Sequence, residues 1–505
     1  MFYVDVALSI LSGLLLTAGF PKPDLFFLAW VAWIPLLAAV RGKSAGAAFR
    51  LGYICGFVHY GTSLYWVCYV VDHYGGLGLP LSFGVLLILC AYLGVYPALF
   101  AVASQRLEGR PFLWVFLLPA VWVAIEWIKA HAVTGFPWGN LGYTQTTFTP
   151  LAQIADVTGV YGVSWLVVLG NTALAAYFLA PRLRAGLLFA VVLVGAGTLY
   201  GHFRLAAVER FQESASPLAV GVVQGNIDQS QKWDPAFQQE ALNRYRELSL
   251  AAVAGAPRPE LLVWPETAVP FFYGVEEKLT AQVNATAGEA GVPLLFGSPG
   301  VTWLNGRTRL LNKAYVLDMG NRRLSSYAKQ HLVPFGEYVP YQKVLFFVQR
   351  LVEAAGDFAA GTDSTPIRLN GKSLGVLICY EGIFPDLSRK AVERGATALV
   401  NITNDAWYGR TGAPYQLLQM ARWRAIEFRV PLIRAANTGV SAIIDATGKI
   451  LGNIPLEERG FLVRTVHPFR TVTPYARWGD FFAWLCVLAA ACGIGYDVLR
   501  RRFTG

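Results

Sequence analysis

Long apolar runs constrain this chain most, because they are confined to its beginning and its end. Runs of the roughly 17 to 25 residues that cross a bilayer lie near residues 5–20, 25–40, 46–71, 79–104, 112–130, 155–180, 185–203 and 479–499. The segment between the last two runs has an ordinary globular composition, although the whole chain is 55% hydrophobic and 15% charged. We therefore predict a transmembrane domain of seven spans at 1–205, a soluble domain at 206–477, and a final span with a basic tail at 478–505.

The basic residues predict the orientation of this eight-span membrane part. Cytoplasmic loops are enriched in Lys and Arg. With both termini cytoplasmic, the inner segments hold Glu108 and Asp497 against the basic residues Arg41, Lys43, Arg50, Arg106, Arg110, Arg182, Arg184, Arg500, Arg501 and Arg502. We therefore expect the soluble domain on the outer face, and the first run to stay as a span because no basic residue precedes it. This topology accounts for most of the formal net charge of +10, so nucleic acid is not an expected partner.

The soluble segment alternates strand and helix patterns. Strands are predicted at 218–224, 261–266, 293–297, 314–318, 324–329, 374–379, 398–402, 432–436 and 441–445, and helices at 236–255, 276–290, 384–394 and 415–429. Such alternation predicts an α/β layered domain. Strands that follow one another without a helix predict hairpins, so we expect a mixed sheet.

One thiol ends a predicted strand of this domain. Cys379 follows the apolar run 374–378 and is its only cysteine, since the other five fall in the predicted spans. Unpaired thiols are unusual in oxidising compartments, and α/β sheets place their chemistry at the carboxyl ends of strands. Cys379 is therefore a candidate nucleophile, with an inert core cysteine as the alternative.

Two charged residues also end predicted strands. Glu266 follows 261–263 and could act as the base for the thiol, while Lys329 follows 324–328 and could stabilise an oxyanion together with the backbone N–H of Tyr380. Each has a structural alternative, a helix cap for Glu266 and a solvated charge for Lys329. In the membrane part, Glu126 and Lys129 indicate either a helix-surface ion pair or a contact for the soluble domain or a lipid head group.

Four ordered motifs resemble the nitrilase (carbon–nitrogen hydrolase) superfamily across about residues 217–467. They are Trp264-Pro265-Glu266; Tyr327-Ala328-Lys329 with Pro334-Phe335-Gly336-Glu337-Tyr338-Val339-Pro340; Ile378-Cys379-Tyr380-Glu381; and Asn404-Asp405-Ala406-Trp407-Tyr408-Gly409 with Arg424-Ala425-Ile426-Glu427. The resemblance implies an α-β-β-α sandwich. It also implies a triad in which Glu266 is the proton acceptor, Lys329 the oxyanion partner and Cys379 the nucleophile.

A narrower resemblance is to the apolipoprotein N-acyltransferase family, the membrane-embedded branch of that superfamily. It rests on Val223-Gln224-Gly225-Asn226-Ile227, Lys232-Trp233-Asp234-Pro235, Gly135-Phe136-Pro137-Trp138 and the eight-span arrangement. It implies that Cys379 takes the sn-1 acyl chain of a phospholipid, typically phosphatidylethanolamine, as a thioester. The chain then passes to the α-amine of a diacylglyceryl-cysteine lipoprotein N-terminus, at the periplasmic side of a bacterial inner membrane, without cofactor or metal.

The resemblance also implies supporting and substrate-binding residues. Glu337, Tyr380 and Glu381 would support the triad, and Trp233 and Trp407 would line the substrate pocket. Phe346 and Phe347 are further candidate substrate-binding residues, because they belong to an apolar cluster in a predicted loop. The apolar clusters 271–273 and 344–348 could be flaps that dip into the membrane interface, with ordinary core helices as the alternative. The alternative functions are a membrane-anchored amidase or nitrilase acting on a small C–N substrate, and a transporter or receptor with a ligand-binding outer domain.

Overall fold

The protein divides into two compact units. The computed structural model describes residues 2–179, 184–230, 232–304, 306–318, 320, 323–339 and 358–504. One unit, the helical unit, comprises Met1–Ala206 and Trp478–Gly505, and the other, the sandwich unit, comprises Ala207–Arg477.

The helical unit contains the long apolar runs of the sequence. Its helices are α1 (Phe2–Ala18), α2 (Ile34–Ala39), α3 (Ala45–Ser63), α4 (Trp66–His73), α5 (Gly78–Leu107), α6 (Pro111–His131), α7 (Thr149–Ala152), α8 (Ala155–Thr158), α9 (Val160–Leu179) and α10 (Arg184–Ser214), with Phe481–Thr504 near the end of the chain. Within the described residues, four of these are long and apolar enough to cross a membrane, namely α5, Phe112–His131, α9 and Ala185–Ser214.

The other predicted spans are shorter or bent. The run at 46–71 is not one straight helix, because α3 and α4 meet at an angle of 53°. The run at 25–40 is a 3₁₀ turn, Phe26–Trp30, followed by α2. Phe2–Ala18, Phe26–Ala39 and Phe481–Tyr496 are apolar helical segments of 10 to 17 residues. A helical region with several apolar helices is thus confirmed, while the count of eight spans stays a prediction.

The sandwich unit is built on two sheets of six strands each in the described part of the chain. The strands are β1 (Leu218–Gln224), β2 (Leu261–Val263), β3 (Leu294–Leu304), β4 (Arg307–Asp318), β5 (Arg323–Ala328), β6 (Ile367–Leu369), β7 (Lys372–Ile378), β8 (Ala398–Thr403), β9 (Leu432–Ala436), β10 (Ser441–Ile444), β11 (Ile450–Ile454) and β12 (Gly460–Val466). The sheet orders are β12-β1-β2-β3-β4-β5 and β11-β10-β9-β8-β7-β6. Both sheets are parallel in the centre and antiparallel at the edges, which confirms the predicted mixed pairing.

Helices cover the outer faces of both sheets. The first sheet packs against α11 (Pro235–Ala254) and α12 (Glu277–Ala290), and the second against α13 (Pro385–Glu393) and α14 (Ala413–Phe428), with α15 (Pro474–Trp478) closing that core. The inner faces of the sheets meet where the Ser441 hydroxyl of β10 donates to Gln224 Oε1 of β1 at 2.5 Å. The layers are therefore helix, sheet, sheet and helix, as the superfamily resemblance implies.

The parallel centres bring the predicted chemistry together. The carboxyl ends of parallel strands lie at one edge of a sheet; β2 ends just before Glu266, β7 just before Cys379, and β8 just before Asn404. The chain after β2 also passes close to β3, since a Cβ on Gly297 would lie 2.7 Å from Glu266 Cα. Only glycine leaves room for that approach, which holds Glu266 against the sheet.

The predicted flaps have two outcomes. Phe271 is only 2% exposed and belongs to the core over the first sheet, and the Tyr273 ring lies 4.9 Å from that of Phe296. The prediction of a flap at 271–273 is therefore wrong, because these aromatics fill space between the helices and the sheet. The cluster at 344–348, including Phe346 and Phe347, lies outside the described residues.

Candidate active site

Glu266 is a buried carboxylate held by hydrogen bonds at both oxygens. It is 7% exposed; Oε1 accepts from Asn312 Nδ2 at 2.7 Å and Oε2 accepts from the backbone N–H of Asn404 at 2.8 Å. The Asn404 donor follows β8, so the second sheet fixes a residue presented by the first. A carboxylate held from two sides keeps one orientation, which general base catalysis requires.

Lys329 is buried between two carboxylates. Its side chain is 1% exposed, and Nζ lies 2.8 Å from Glu337 Oε2, 2.9 Å from Glu337 Oε1 and 4.0 Å from Glu266 Oε1. Burial lowers the pKa of Lys329, but Glu337, Cys379 and Glu266 together outweigh burial, so that pKa is raised above its usual value. Lys329 is therefore a fixed positive charge, the property that oxyanion stabilisation needs.

Cys379 begins a 3₁₀ turn, Cys379–Ile383, directly after β7. Its backbone has φ of +54°, in the left-handed region that non-glycine residues rarely occupy. The side chain is buried, and Thr403 lies within hydrogen-bond reach of the thiol. Burial, with Glu266 adding to it, raises the pKa of the Cys379 thiol to about 12, although Lys329 acts in the opposite direction. The resting group is thus a protonated thiol that needs a base.

Glu381 ties the loop of the lysine to the loop of the thiol. It is fully buried and accepts hydrogen bonds from the backbone N–H groups of Ile378 (2.7 Å), Gln330 (2.7 Å) and His331 (3.0 Å), and from the Tyr327 hydroxyl (3.0 Å). Burial raises the pKa of Glu381 to about 7, and these backbone donors oppose the rise. Its partners come from both sides of Lys329 and from the residue before Cys379, so its position fits the supporting role that the resemblance implies.

The structure adds two side chains that were not singled out from the sequence. Asn312 of β4 donates its amide hydrogens to Glu266 Oε1 (2.7 Å) and Glu337 Oε1 (3.1 Å), and so joins the two carboxylates around Lys329. Lys232 is 3% exposed and donates from Nζ to the carbonyl oxygen of Glu266 at 3.2 Å. For Lys232, the one available signal in the sequence is its place within the Lys-Trp-Asp-Pro motif.

The remaining predicted residues vary in exposure. Trp233 is 52% exposed and Trp407 is 38% exposed, whereas Tyr380 is buried and its ring packs edge-on against Phe384 at 4.9 Å. Exposed aromatic faces are compatible with a pocket wall, so the substrate-binding role of the two tryptophans stays a prediction.

In the helical unit, Glu126 and Lys129 are not a surface pair. Both are 1% exposed; Glu126 Oε1 accepts from the backbone N–H of Leu141 at 2.6 Å, and Lys129 Nζ donates to the Trp138 carbonyl at 2.8 Å. The helix-surface interpretation is therefore wrong, because both groups turn inward to hold the segment that follows α6.

Two family models match this chain. The model of the apolipoprotein N-acyltransferase N-terminal domain matches residues 12–173, and that of carbon-nitrogen hydrolase matches residues 219–473. Among solved structures, a carbon-nitrogen hydrolase from Helicobacter pylori is 18% identical, with a TM-score of 0.40, 53% of this chain covered and 94% of that chain. An amidase from Nesterenkonia sp. AN1 is 22% identical, with a TM-score of 0.39 and coverage of 53% and 95%.

Curated relatives match over nearly the whole length. The apolipoprotein N-acyltransferase of Geobacter metallireducens is 44% identical over 494 residues, covering 96% of this chain and 94% of the relative. That of Methylococcus capsulatus is 36% identical over 501 residues, covering 98% and 96%. Both the helical and the sandwich unit fall within these matches, so the chain belongs to the apolipoprotein N-acyltransferase family.

Proposed function

We propose that Glu266, Lys329 and Cys379 carry the reaction of this N-acyltransferase of lipoprotein maturation. The observation that supports the proposal most is the buried cluster itself: a protonated thiol, an oriented carboxylate and a fixed cation meet at the carboxyl ends of the strands. These are the nucleophile, base and electrophilic partner of an acyl transfer through a covalent intermediate.

In the first half-reaction, Cys379 attacks the ester carbonyl of a phospholipid. Glu266 accepts the thiol proton as the C–S bond forms, and Lys329 with the Tyr380 backbone N–H stabilises the oxyanion. As the C–O bond breaks, Glu266 returns the proton to the departing oxygen. The products are a thioester on Cys379 and a lysophospholipid.

In the second half-reaction, an amine takes the acyl chain. The α-amine of a diacylglyceryl-cysteine N-terminus attacks the thioester carbonyl, the same donors stabilise the second oxyanion, and Cys379 leaves as its thiol. Following the family resemblance, we propose phosphatidylethanolamine as the donor, its sn-1 chain as the group transferred, and Trp233 and Trp407 as pocket residues. We propose Phe346 and Phe347 as further substrate-binding residues.

Glu337, Tyr380 and Glu381 support this chemistry in different ways. Glu337 contacts Lys329 with both oxygens and keeps it charged. Tyr380 supplies the backbone donor. Glu381 fixes the two loops that present Lys329 and Cys379.

The same proposal includes a topology. Four long apolar helices, one bent pair and three shorter apolar segments add support for eight spans in the transmembrane parts 1–205 and 478–505. The distribution of Lys and Arg favours cytoplasmic termini, with the domain at 206–477 on the periplasmic side of the inner membrane. An epitope tag in the exposed loop 255–258 should be digested by protease added to spheroplasts, whereas a tag at the C-terminus should be protected.

Intact-mass analysis tests the chemistry directly. Incubation with phosphatidylethanolamine should add one acyl chain to the wild-type protein and none to Cys379→Ala. Cys492→Ala removes an exposed thiol of the helical unit and should still be acylated. A diacylated peptide with a free α-amine should discharge the adduct, and the same peptide N-acetylated should not.

The alternative functions predict other results in that assay. A membrane-anchored amidase would transfer its acyl group to water without a peptide, and a receptor or transporter would keep its activity in Cys379→Ala. An unmodified wild-type protein that hydrolyses a small amide would overturn the acyl-transfer chemistry proposed here.

A further inference from the structure

Lys232 is a second buried lysine beside the proposed catalytic groups. It lies in the connection between β1 and α11, where Asp234 caps the helix by accepting from the Ala236 N–H at 2.9 Å and Pro235 occupies the first turn. The helix start thereby fixes the short segment that carries Lys232. Its side chain is turned inward, 3% exposed, with Nζ on the carbonyl oxygen of Glu266.

The charged surroundings of Lys232 differ from those of Lys329. The ionisable groups that act on Lys232 within the described residues are Glu266 and Cys379, and both favour its charged form. Burial outweighs them and lowers the pKa of Lys232 to about 8. Lys329 has both oxygens of Glu337 within 2.9 Å, and Lys232 has no such carboxylate contact among the residues that the structure describes. Lys329 is therefore held as a cation. Lys232 is neutral in a minor fraction of molecules at about pH 7 and in a growing fraction as the pH rises, and the neutral form can take up a proton.

The two half-reactions have different proton balances. In the first half-reaction a thiol and an ester give a thioester and an alcohol, and no proton is released or taken up overall. Glu266 alone can therefore carry the one proton that moves. In the second half-reaction a thioester and an α-ammonium group give an amide, a thiol and one released proton. The extra proton arises because the α-amine of the substrate, with an ordinary pKa of about 8, arrives largely protonated at neutral pH. Glu266 can pass one proton from nitrogen to sulfur, which leaves one proton without an acceptor.

We propose that Lys232, in its neutral form, accepts this extra proton from the incoming α-ammonium group. The N–H bond of the ammonium breaks and an N–H bond forms on Nζ. The freed amine then attacks the thioester carbonyl, and Glu266 takes the second proton from the attacking nitrogen. As the C–S bond breaks, that proton passes to the Cys379 sulfur, and Lys232 later releases its proton to water. This step rests on the acyl transfer proposed above and assigns the proton acceptor for its second half.

The alternative role for Lys232 is a positioning one, in which its ammonium only holds the Glu266 main chain. A substitution by arginine distinguishes the positioning role from the role of proton acceptor. Arginine retains the charge and the hydrogen-bonding capacity but cannot be deprotonated in a protein. Lys232→Arg should therefore preserve a positioning role and abolish proton acceptance.

The experiment measures the two half-reactions separately on the full-length enzyme. Wild type, Lys232→Arg and Lys232→Met are acylated with phosphatidylethanolamine, and the thioester is followed by intact mass. Acylation of both variants should slow only as far as the change at the Glu266 carbonyl disturbs the base, and by much less than the discharge of the thioester. Discharge by the diacylated peptide amine at about pH 7 should fall about 100-fold in both, the size of a typical general-base contribution.

Two further measurements identify the proton as the cause. Raising the pH to about 9, above the ordinary pKa of an α-amine, should narrow the difference between the variants and the wild type in the rate at which the peptide amine discharges the thioester. Hydroxylamine, which is unprotonated at neutral pH, should discharge all three thioesters at similar rates, since it brings no extra proton.

Three results would overturn the assignment. They are a normal peptide transfer rate in Lys232→Arg at about pH 7, a normal rate in Lys232→Met, or an equal loss in both half-reactions. A wild-type protein that forms no thioester would instead refute the proposed acyl transfer and is distinguished by the first measurement.

Discussion

Asn312 offers a sharp test of the charge arrangement around Lys329. Its side-chain amide points one hydrogen at Glu266 Oε1 and the other at Glu337 Oε1, and its backbone oxygen accepts from the Lys329 N–H at 2.9 Å. Asn312→Asp keeps the shape and replaces the donor by an acceptor. The new carboxyl oxygen would then lie about as close to Glu266 as the present amide nitrogen.

The cost follows from these contacts. Hydrogen bonds to charged groups contribute about 1.5 to 3 kcal/mol each, so Asn312→Ala should lose up to about 3 to 6 kcal/mol of local stability. In Asn312→Asp, carboxylates this close cannot all ionise, and the new group is expected to take up a proton and donate to one neighbour. At about pH 6 this variant should therefore be more stable than Asn312→Ala.

The sign of the pH dependence distinguishes this account from a simple packing defect. The pKa of the new carboxyl group should be raised above its unfolded value, so the native state binds more protons than the unfolded state. Stability must then fall as pH rises between the unfolded and the folded pKa. Asn312→Ala adds no titrating group, and its loss of stability relative to wild type should not change in this way.

Hydrogen exchange of β4 and β5 peptides, followed by mass spectrometry, measures the local effect. Relative to wild type, protection in Asn312→Asp should decline from about pH 6 to about pH 9, and protection in Asn312→Ala should keep a constant offset. An equal offset at both pH values in Asn312→Asp would show that the side chain does not sit between two ionised carboxylates.

One labelling experiment and substitutions at two positions test the neighbouring groups. Because the pKa of Cys379 is raised to about 12, iodoacetamide should label it more slowly than free cysteine at neutral pH and progressively faster as pH rises; rapid labelling at neutral pH would contradict this. Glu381→Gln replaces an oxygen that accepts buried backbone donors, at a cost of about 1 to 3 kcal/mol, and should slow acylation and reduce exchange protection around Cys379, with Glu381→Asp intermediate. Glu337→Gln removes the nearest negative charge from Lys329 and lowers its pKa, so activity should be lost at a lower alkaline pH than in wild type; an unchanged alkaline limb would refute that pairing.

The sequence predicts the centre of the sandwich unit better than its edges. β1 and β9 have the predicted bounds. The helix Pro235–Ala254 differs from prediction by one residue at each end, and the helix Glu277–Ala290 by one residue at its start. These elements bury continuous apolar faces, which produce clear periodic patterns. The outer halves of β3 and β4 and the edge strands β6, β11 and β12 were missed, because partly exposed strands mix polar and apolar residues.

The candidate site also has residues that the sequence predicts and residues that it does not. Glu266 and Cys379 follow buried strands, so pattern and motif locate them. Asn312 and Lys232 act through partners 46 and 34 residues away in the chain, and no local pattern marks such a contact. The sequence therefore predicts the proposed reacting groups, whereas the buried side chains that contact them are found only from the packing of the strands.

Charge balance connects these residues to the order of the chemistry. Three buried ion pairs in the sandwich unit are close, namely Arg424 with Glu427 at 3.0 Å, Arg434 with Asp405 at 2.7 Å and Lys329 with Glu337 at 2.8 Å. An unpaired buried charge is costly, so a reaction step in this site is favoured when it moves a proton without changing the net charge. Proton transfer from Cys379 to Glu266 meets that condition, because the single negative charge only moves from the carboxylate to the sulfur. The arrival of the substrate's α-ammonium group changes the net charge of the site, because it adds a positive charge beside Lys329. A neutral Lys232 does not remove this positive charge from the cluster. It takes the charge from the reacting nitrogen onto its own Nζ, which donates a hydrogen bond to the Glu266 carbonyl oxygen. The first half-reaction should therefore be nearly independent of pH around neutrality, and the second should accelerate as the pH approaches the pKa of Lys232.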